Sequence, residues 1–252
     1  MVKTFANTSP TVCRRASAPR RRWLAFVAAV GAAAAACNGD RAFAPGVDPN
    51  APVAGGYSSD DVLYFHEVVG GPTGTTSVRK WGRDVRVAIS GEVTDVDRAN
   101  LDHVCAAITA AIGGPVRVSR DTTGTANVSI VFGPRSLVAG LDDALHEYVI
   151  GSADVGEDAP GRIDTATISI AAELEGGYRL GAIRHELTHA MGMPGHTQHF
   201  PSSTMTPLVN GLADYTSVDA DGIEMLYRDE VKVGMTPLEA QHVLSALPRR
   251  GR

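Results

Sequence analysis

The chain has 252 residues, with 23 basic and 28 acidic groups and three cysteines, enough for one ordinary domain plus segments that need not fold. Charge is unevenly placed: six basic residues (Lys3, Arg14, Arg15, Arg20, Arg21 and Arg22) precede the first acid, Asp40, so the remainder holds 17 basic against 28 acidic groups, a net of −11. Such an acidic surface argues against a nucleic-acid partner, and with Cys13 and Cys37 both ahead of Asp40, only Cys105 is left for the folded part, which excludes an internal disulfide there.

In chain order, the first feature is a basic stretch followed by an apolar run from Trp23 to Ala36. This is an export-signal pattern, and the run is shorter than the ~20 residues a membrane span requires. Ala34-Ala35-Ala36-Cys37 resembles a bacterial lipoprotein box, with Ala where Leu is usual, so Cys37 is expected to become the lipidated first residue of an exported protein. Ordinary cleavage near Ala36 is the alternative. Arg20-Arg21-Arg22-Trp23-Leu24 weakly resembles a twin-arginine signal. Residues 1–37 are therefore read as signal and lipobox. Residues 38–56, rich in Pro, Gly, Ala and Asp, are read as a tether, and residues 57–252 as one domain.

Within that domain, DVRVAIS alternates apolar and polar residues at Val85, Val87 and Ile89, which predicts a strand. A helix is expected next. Thr94 and Asp97 form a capping box, Leu101, Val104, Cys105, Ile108 and Ile112 make one apolar stripe, and Gly113 supplies the stop. Cys105 on that stripe reads as a buried small hydrophobe. VRVS, ANVSIVF and IDTATISIA are further strands. A second long helix begins between Glu173 and Tyr178, where Glu173 and Glu175 suit a helix start. Shorter helices are expected after Thr216 or Ser217 and at Thr236-Pro237-Leu238-Glu239. The fold class is α/β (α+β): a mixed sheet, a long first helix, a second helix bearing chemistry, and a small C-terminal helical subdomain.

The second long helix carries HELTHAMGMPGH, His185 to His196. His185 and His189 are four residues apart, so on a helix both imidazoles lie on one face within reach of a single metal ion. Glu186 points towards the same cleft and can take a proton from a water that zinc has acidified. Gly192 can end the helix and turn the chain, Pro194 prevents its continuation, and His196 can swing back as a third ligand. Three protein ligands with one position left open is the pattern of a catalytic zinc site. His199 competes with His196 for the third place. His66, His103, His146 and His242 are scattered and read as structural or solvated.

These residues resemble the metzincin metalloprotease signature, His-Glu-x-x-His-x-x-Gly-x-x-His, with one departure. The signature's third His falls on Gly195, and His196 stands one place further. SSTM, ending in Met205, resembles the Met-turn that lies beneath the metal. Met205-Thr206-Pro207 is similar to the matrixin Met-Tyr-Pro with Tyr replaced. YTSVDADGIEMLY (residues 215–227) resembles the helix that closes a matrixin catalytic domain. The tail RDEVKVGMTPLEAQHVL resembles a group of secreted bacterial proteins with a degenerate form of the motif, but this sequence keeps His189.

The resemblance implies a metzincin-like twisted sheet, with IDTATISIA as the edge strand along which an extended peptide lies. It also implies one catalytic Zn2+ held by His185, His189 and His196, with Glu186 as general base and a peptide or protein as substrate. Tyr215 is a candidate oxyanion donor whose alternative role is packing. The expected protein is an exported, lipid-anchored, monomeric zinc endopeptidase. The competing expectation is a non-catalytic surface lipoprotein whose metal site stabilises the fold or binds a partner.

Overall fold

Among the described residues, four of the six helices begin with the same local device. Ser58, Thr94, Thr216 and Thr236 each accept a hydrogen bond from the backbone N–H three residues on, and Asp61, Asp97, Asp219 and Glu239 bond back to the cap residue. The computed structural model describes residues 56–71, 74, 76–138, 150–209, 211 and 214–250. The export signal, the Cys37 lipobox, nearly all of the tether and His146 lie outside the described residues. Among the described residues no helix is long and apolar enough to cross a membrane.

The elements are α1 (Ser59–Gly70), β1 (Lys80–Trp81), β2 (Val85–Gly91), α2 (Asp95–Ile112), β3 (Val118–Arg120), β4 (Val128–Gly133), α3 (Arg135–Val138), β5 (Gly151–Ala159), β6 (Arg162–Ala171), α4 (Gly176–Ala190), α5 (Ser217–Leu226) and α6 (Pro237–Leu244). The expected α/β class holds, with a mixed, mostly parallel six-stranded sheet. β2 pairs in parallel with β3 and β4, and β4 with β6. β5 alone is antiparallel, against β6. Residues Arg162 and Ile163 pair with both β1 and β5, which places those two strands on opposite edges of β6.

The segment IDTATISIA is thus not the sheet edge. It lies inside β6, flanked by β4 and β5, and the outer edge belongs to β5. Burial alternates along β6. Ile163, Ala166, Ile168 and Ile170 are buried while Thr165 and Thr167 are exposed, so one face meets the core and the other meets solvent.

Leu101, Val104, Cys105, Ile108 and Ile112 of α2 are all buried, as their spacing predicts, and such side chains contribute about 1.5–3 kcal/mol each relative to exposure. The Cys105 thiol is buried and its pKa is pushed up to about 12 by desolvation, consistent with a packing role. α2 packs against β3 and α4, and α4 against β5 and β6. The C-terminal helices do not stand apart: α1 packs against both α5 and α6. His66 on α1 bonds the buried Gln241 of α6 at 2.7 Å, whereas His103 pairs at the surface with Asp214 and His242 is exposed.

Candidate metal centre

Helix α4 is buried nearly all round over residues 181–188, including Arg184, His185, Glu186 and Thr188. Its terminal carbonyls are satisfied from outside: Trp81 Nε1–H donates to Ala190 O at 2.9 Å and Tyr227 O–H to Met191 O at 2.9 Å. The chain then reverses at Gly192, whose φ of 103° is left-handed and whose added Cβ would stand 2.1 Å from Arg79 O. Only glycine suits both conditions.

The reversal brings three imidazoles together. Nε2 of His185 lies 3.1 Å from Nε2 of His189 and 3.2 Å from Nε2 of His196, and the His189–His196 separation is 3.2 Å. Among the described residues they form the one His/Cys/Asp/Glu group close enough to hold a metal ion. His185 Nδ1 is 2.7 Å from Thr204 O, and His189 Nδ1 is 2.7 Å from Met193 O. A carbonyl oxygen can only accept, so each Nδ1 carries the hydrogen and each neutral Nε2 presents a bare lone pair. Burial, with the neighbouring imidazoles adding to it, pushes the His185 pKa down to about 4 and that of His189 well below its ordinary value. Burial also lowers His196.

Neutral rings with lone pairs facing at 3.1 Å repel each other, and a shared cation removes that repulsion. A tetrahedral zinc with Zn–N bonds of ~2.0–2.1 Å separates its ligand nitrogens by roughly 3.3–3.4 Å, close to the observed triangle. The donor set, its spacing and its outer hydrogen bonds all fit such an ion. The centre also lies by the C-terminal end of α4, where the helix dipole favours positive charge.

His199 is not part of this triangle. Its Nδ1 sits 2.6 Å from Glu67 Oε1 of α1, on the other side of the loop. The reason His196 takes the third place is Gly195. Its N–H donates to Val68 O at 2.8 Å, and an added Cβ would stand 2.0 Å from Glu67 O. The loop is pressed onto α1 at 195, so the following residue is the one that faces α4.

Residues 203–205 support two of the three histidines. Thr204 O receives the His185 Nδ1–H, and Met205 O receives the Thr197 N–H at 2.8 Å, one residue past His196. Asp219 of α5 holds this segment: its carboxylate accepts from Ser203 Oγ at 2.6 Å, Thr204 N at 3.2 Å, Tyr64 O–H at 2.7 Å and the Thr216 cap. Met205 is completely buried. The sequence similarity singled out Met205 and Asp219 without indicating that they act through backbone peptides.

Glu186 is 4% exposed, and desolvation alone raises its pKa to about 8. The first residue of β5 lies against it, since a Cβ on Gly151 would fall 2.4 Å from Glu186 Oε1. The Tyr215 hydroxyl lies 2.8 Å from Thr188 Oγ1 on α4. Glu173 does not serve α4: it accepts the Arg135 N–H at the start of α3, and Glu175 caps α4 without a side-chain bond.

The sequence profile of DUF2927, described as a protein of unknown function, matches residues 63–246. The chain belongs to the DUF2927 family. The DUF2927 match runs from α1 to α6 and so takes in the three histidines, Glu186, the 203–205 segment and Glu67. A comparison with curated proteins finds no match.

Proposed function

We propose that this DUF2927 protein is a zinc-dependent endopeptidase of metzincin-like type. The observation that carries the reading is the triangle of Nε2 atoms at 3.1–3.2 Å with a glutamate next in sequence to its first member. His185, His189 and His196 would hold the ion. Zinc, when bound, supplies Lewis acidity towards a water molecule and a substrate carbonyl. Glu186 accepts the proton released by the attacking water and returns it to the departing amine. Among the described residues no strand pairs the outer edge of β5, which starts at Gly151, beside Glu186, and offers backbone donors and acceptors to an extended peptide. The signal and lipobox pattern around Cys37 supports an exported, lipid-anchored form acting on peptides or proteins outside the cytoplasm.

A second reading, a non-catalytic protein whose metal supports the fold or a partner site, draws on the burial of Glu186 beneath Gly151. Glu186→Gln separates the two. For the peptidase, the variant retains one metal ion per chain and loses ~10²–10⁴-fold in peptide cleavage. Cleavage by the variant at the parent rate, or no cleavage of an unstructured protein substrate by the zinc-loaded parent, would sink the catalytic reading.

A further inference from the structure

Glu67 lies on α1, far from the histidine motif in sequence, and is 8% exposed. Its carboxylate gathers the residues that immediately follow His196. Oε2 accepts the Thr197 hydroxyl, and Oε1 accepts from Gln198 N at 3.4 Å and from His199 Nδ1 at 2.6 Å. The same helix holds the residue before His196, through Gly195 N–H to Val68 O at 2.8 Å. The Thr197 hydroxyl is bonded further, accepting from His199 N and Phe200 N at 3.3 Å each. His196 is therefore bracketed on both sides by contacts to one turn of α1. His185 and His189, by contrast, are carried by α4 and oriented by Thr204 O and Met193 O, with no contact to Glu67.

We infer that Glu67 is a positioning residue for the metal centre: a latch on α1 that holds the 195–199 loop so that His196 completes the ligand triangle. This rests on the metal-centre reading and adds to it the group that makes the third ligand available. A loop without the latch loses all three contacts from the carboxylate to Thr197, Gln198 and His199, and ordering His196 then costs entropy when it binds an ion. Glu67 is not among the three residues grouped to hold the ion, so its effect reaches the site through His196.

Cobalt(II) binding to the full chain tests this, because the visible spectrum reports ligand number separately from affinity. Outer groups that orient metal ligands cost about 10–100-fold in metal affinity when removed, so Glu67→Ala is expected to weaken cobalt binding by that factor and to shift the spectrum towards that of His196→Ala. Glu67→Gln, which keeps one carbonyl oxygen for the Thr197 hydroxyl, is expected to lose less. Thr197→Val removes the latch from the loop side, leaves α1 untouched, and should reproduce the loss even if Glu67→Ala folds poorly. In a His196→Ala background, Glu67→Ala should cause no further loss.

Parent-like affinity and spectrum in both Glu67→Ala and Thr197→Val would overturn the latch. So would a full additional loss in the His196→Ala background. Failure of the parent chain to take up cobalt or zinc, or parent-like binding by His196→Ala, would overturn the metal centre and the latch with it.

Discussion

At the scale of single residues, spacing alone identifies His185, Glu186 and His189, because i, i+4 on a helix is a geometric statement. It leaves His196 and His199 open. What decides between them is a steric fact about Gly195, whose Cα is pressed against the α1 backbone, and the partner of His199 is a glutamate from another part of the chain. Gly195→Ala forces a Cβ to within 2.0 Å of Glu67 O, and overpacking of this kind costs about 1–3 kcal/mol. Denaturant titration should show that loss, together with weaker metal binding. His199→Ala should keep one metal ion per chain by elemental analysis, whereas His189→Ala should retain none after dialysis. A metal-free His199→Ala with a metal-loaded His196→Ala would reverse the assignment. Glu67 carries no local signal at all: it is one acidic residue on a helix that is buried from Asp61 to Gly70, and its role exists only after α1 meets the loop.

At the scale of elements, the sequence is legible wherever burial is one-sided. β2 and β6 alternate, α2 has a stripe, and α5 and α6 announce their starts with capping boxes. β5 is not legible. GSADVGEDA offers only Ala153 and Val155 as a short, partly buried apolar face, and it becomes a strand because β6 offers it an edge. α1 carries a capping box at Ser58 and Asp61 that reads equally as the end of a polar tether. α4 is buried all round over residues 181–188 and bears charged groups there, so its identity came from the motif and not from periodicity.

Two ties between elements lead to measurable effects. Asp219 both caps α5 and holds residues 203–204. Its replacement by Ala removes a cap and leaves buried donors unpaired, for an expected loss of about 2–4 kcal/mol, with poorer metal binding through Thr204 and His185.

The second tie is Asp97, 1% exposed, which receives Arg179 of α4 at 2.9 and 3.0 Å and so joins the start of α2 to α4. Burial pushes its pKa up, but the Arg179 and Thr94 hydrogen bonds outweigh this and leave it below the ordinary value of 3.8. A carboxylate depressed in the folded state contributes stability in full above its unfolded pKa. That contribution is lost as pH falls through the lower folded value. Asp97→Asn should therefore be less stable than the parent at neutral pH, and the difference should shrink below pH 3.8, as followed by thermal melts across an acid series. A difference that grows towards low pH would contradict the assignment.

At the scale of the molecule, the centre joins three parts of the chain: α4, the loop after Gly192, and, through residues 203–205, Asp219 and α5. An ion bound there ties together pieces that would otherwise separate on unfolding, so its binding energy appears as folding stability. Free zinc at 100 times its dissociation constant stabilises a one-site protein by about 2.7 kcal/mol. For a domain of this size each kcal/mol moves Tm by roughly 2–4 °C, giving an expected rise of roughly 5–11 °C. A chelator should reverse it. Glu186→Gln should show the same rise, since the ligands are intact, while His189→Ala should show none. The contrast matters because the chain after its basic leader is strongly acidic and attracts cations at many points without specificity. A general charge effect would raise Tm equally in His189→Ala, would appear with magnesium as well as zinc, and would fade with added salt. A rise confined to zinc and cobalt, kept in high salt and absent in His189→Ala, belongs to the three imidazoles.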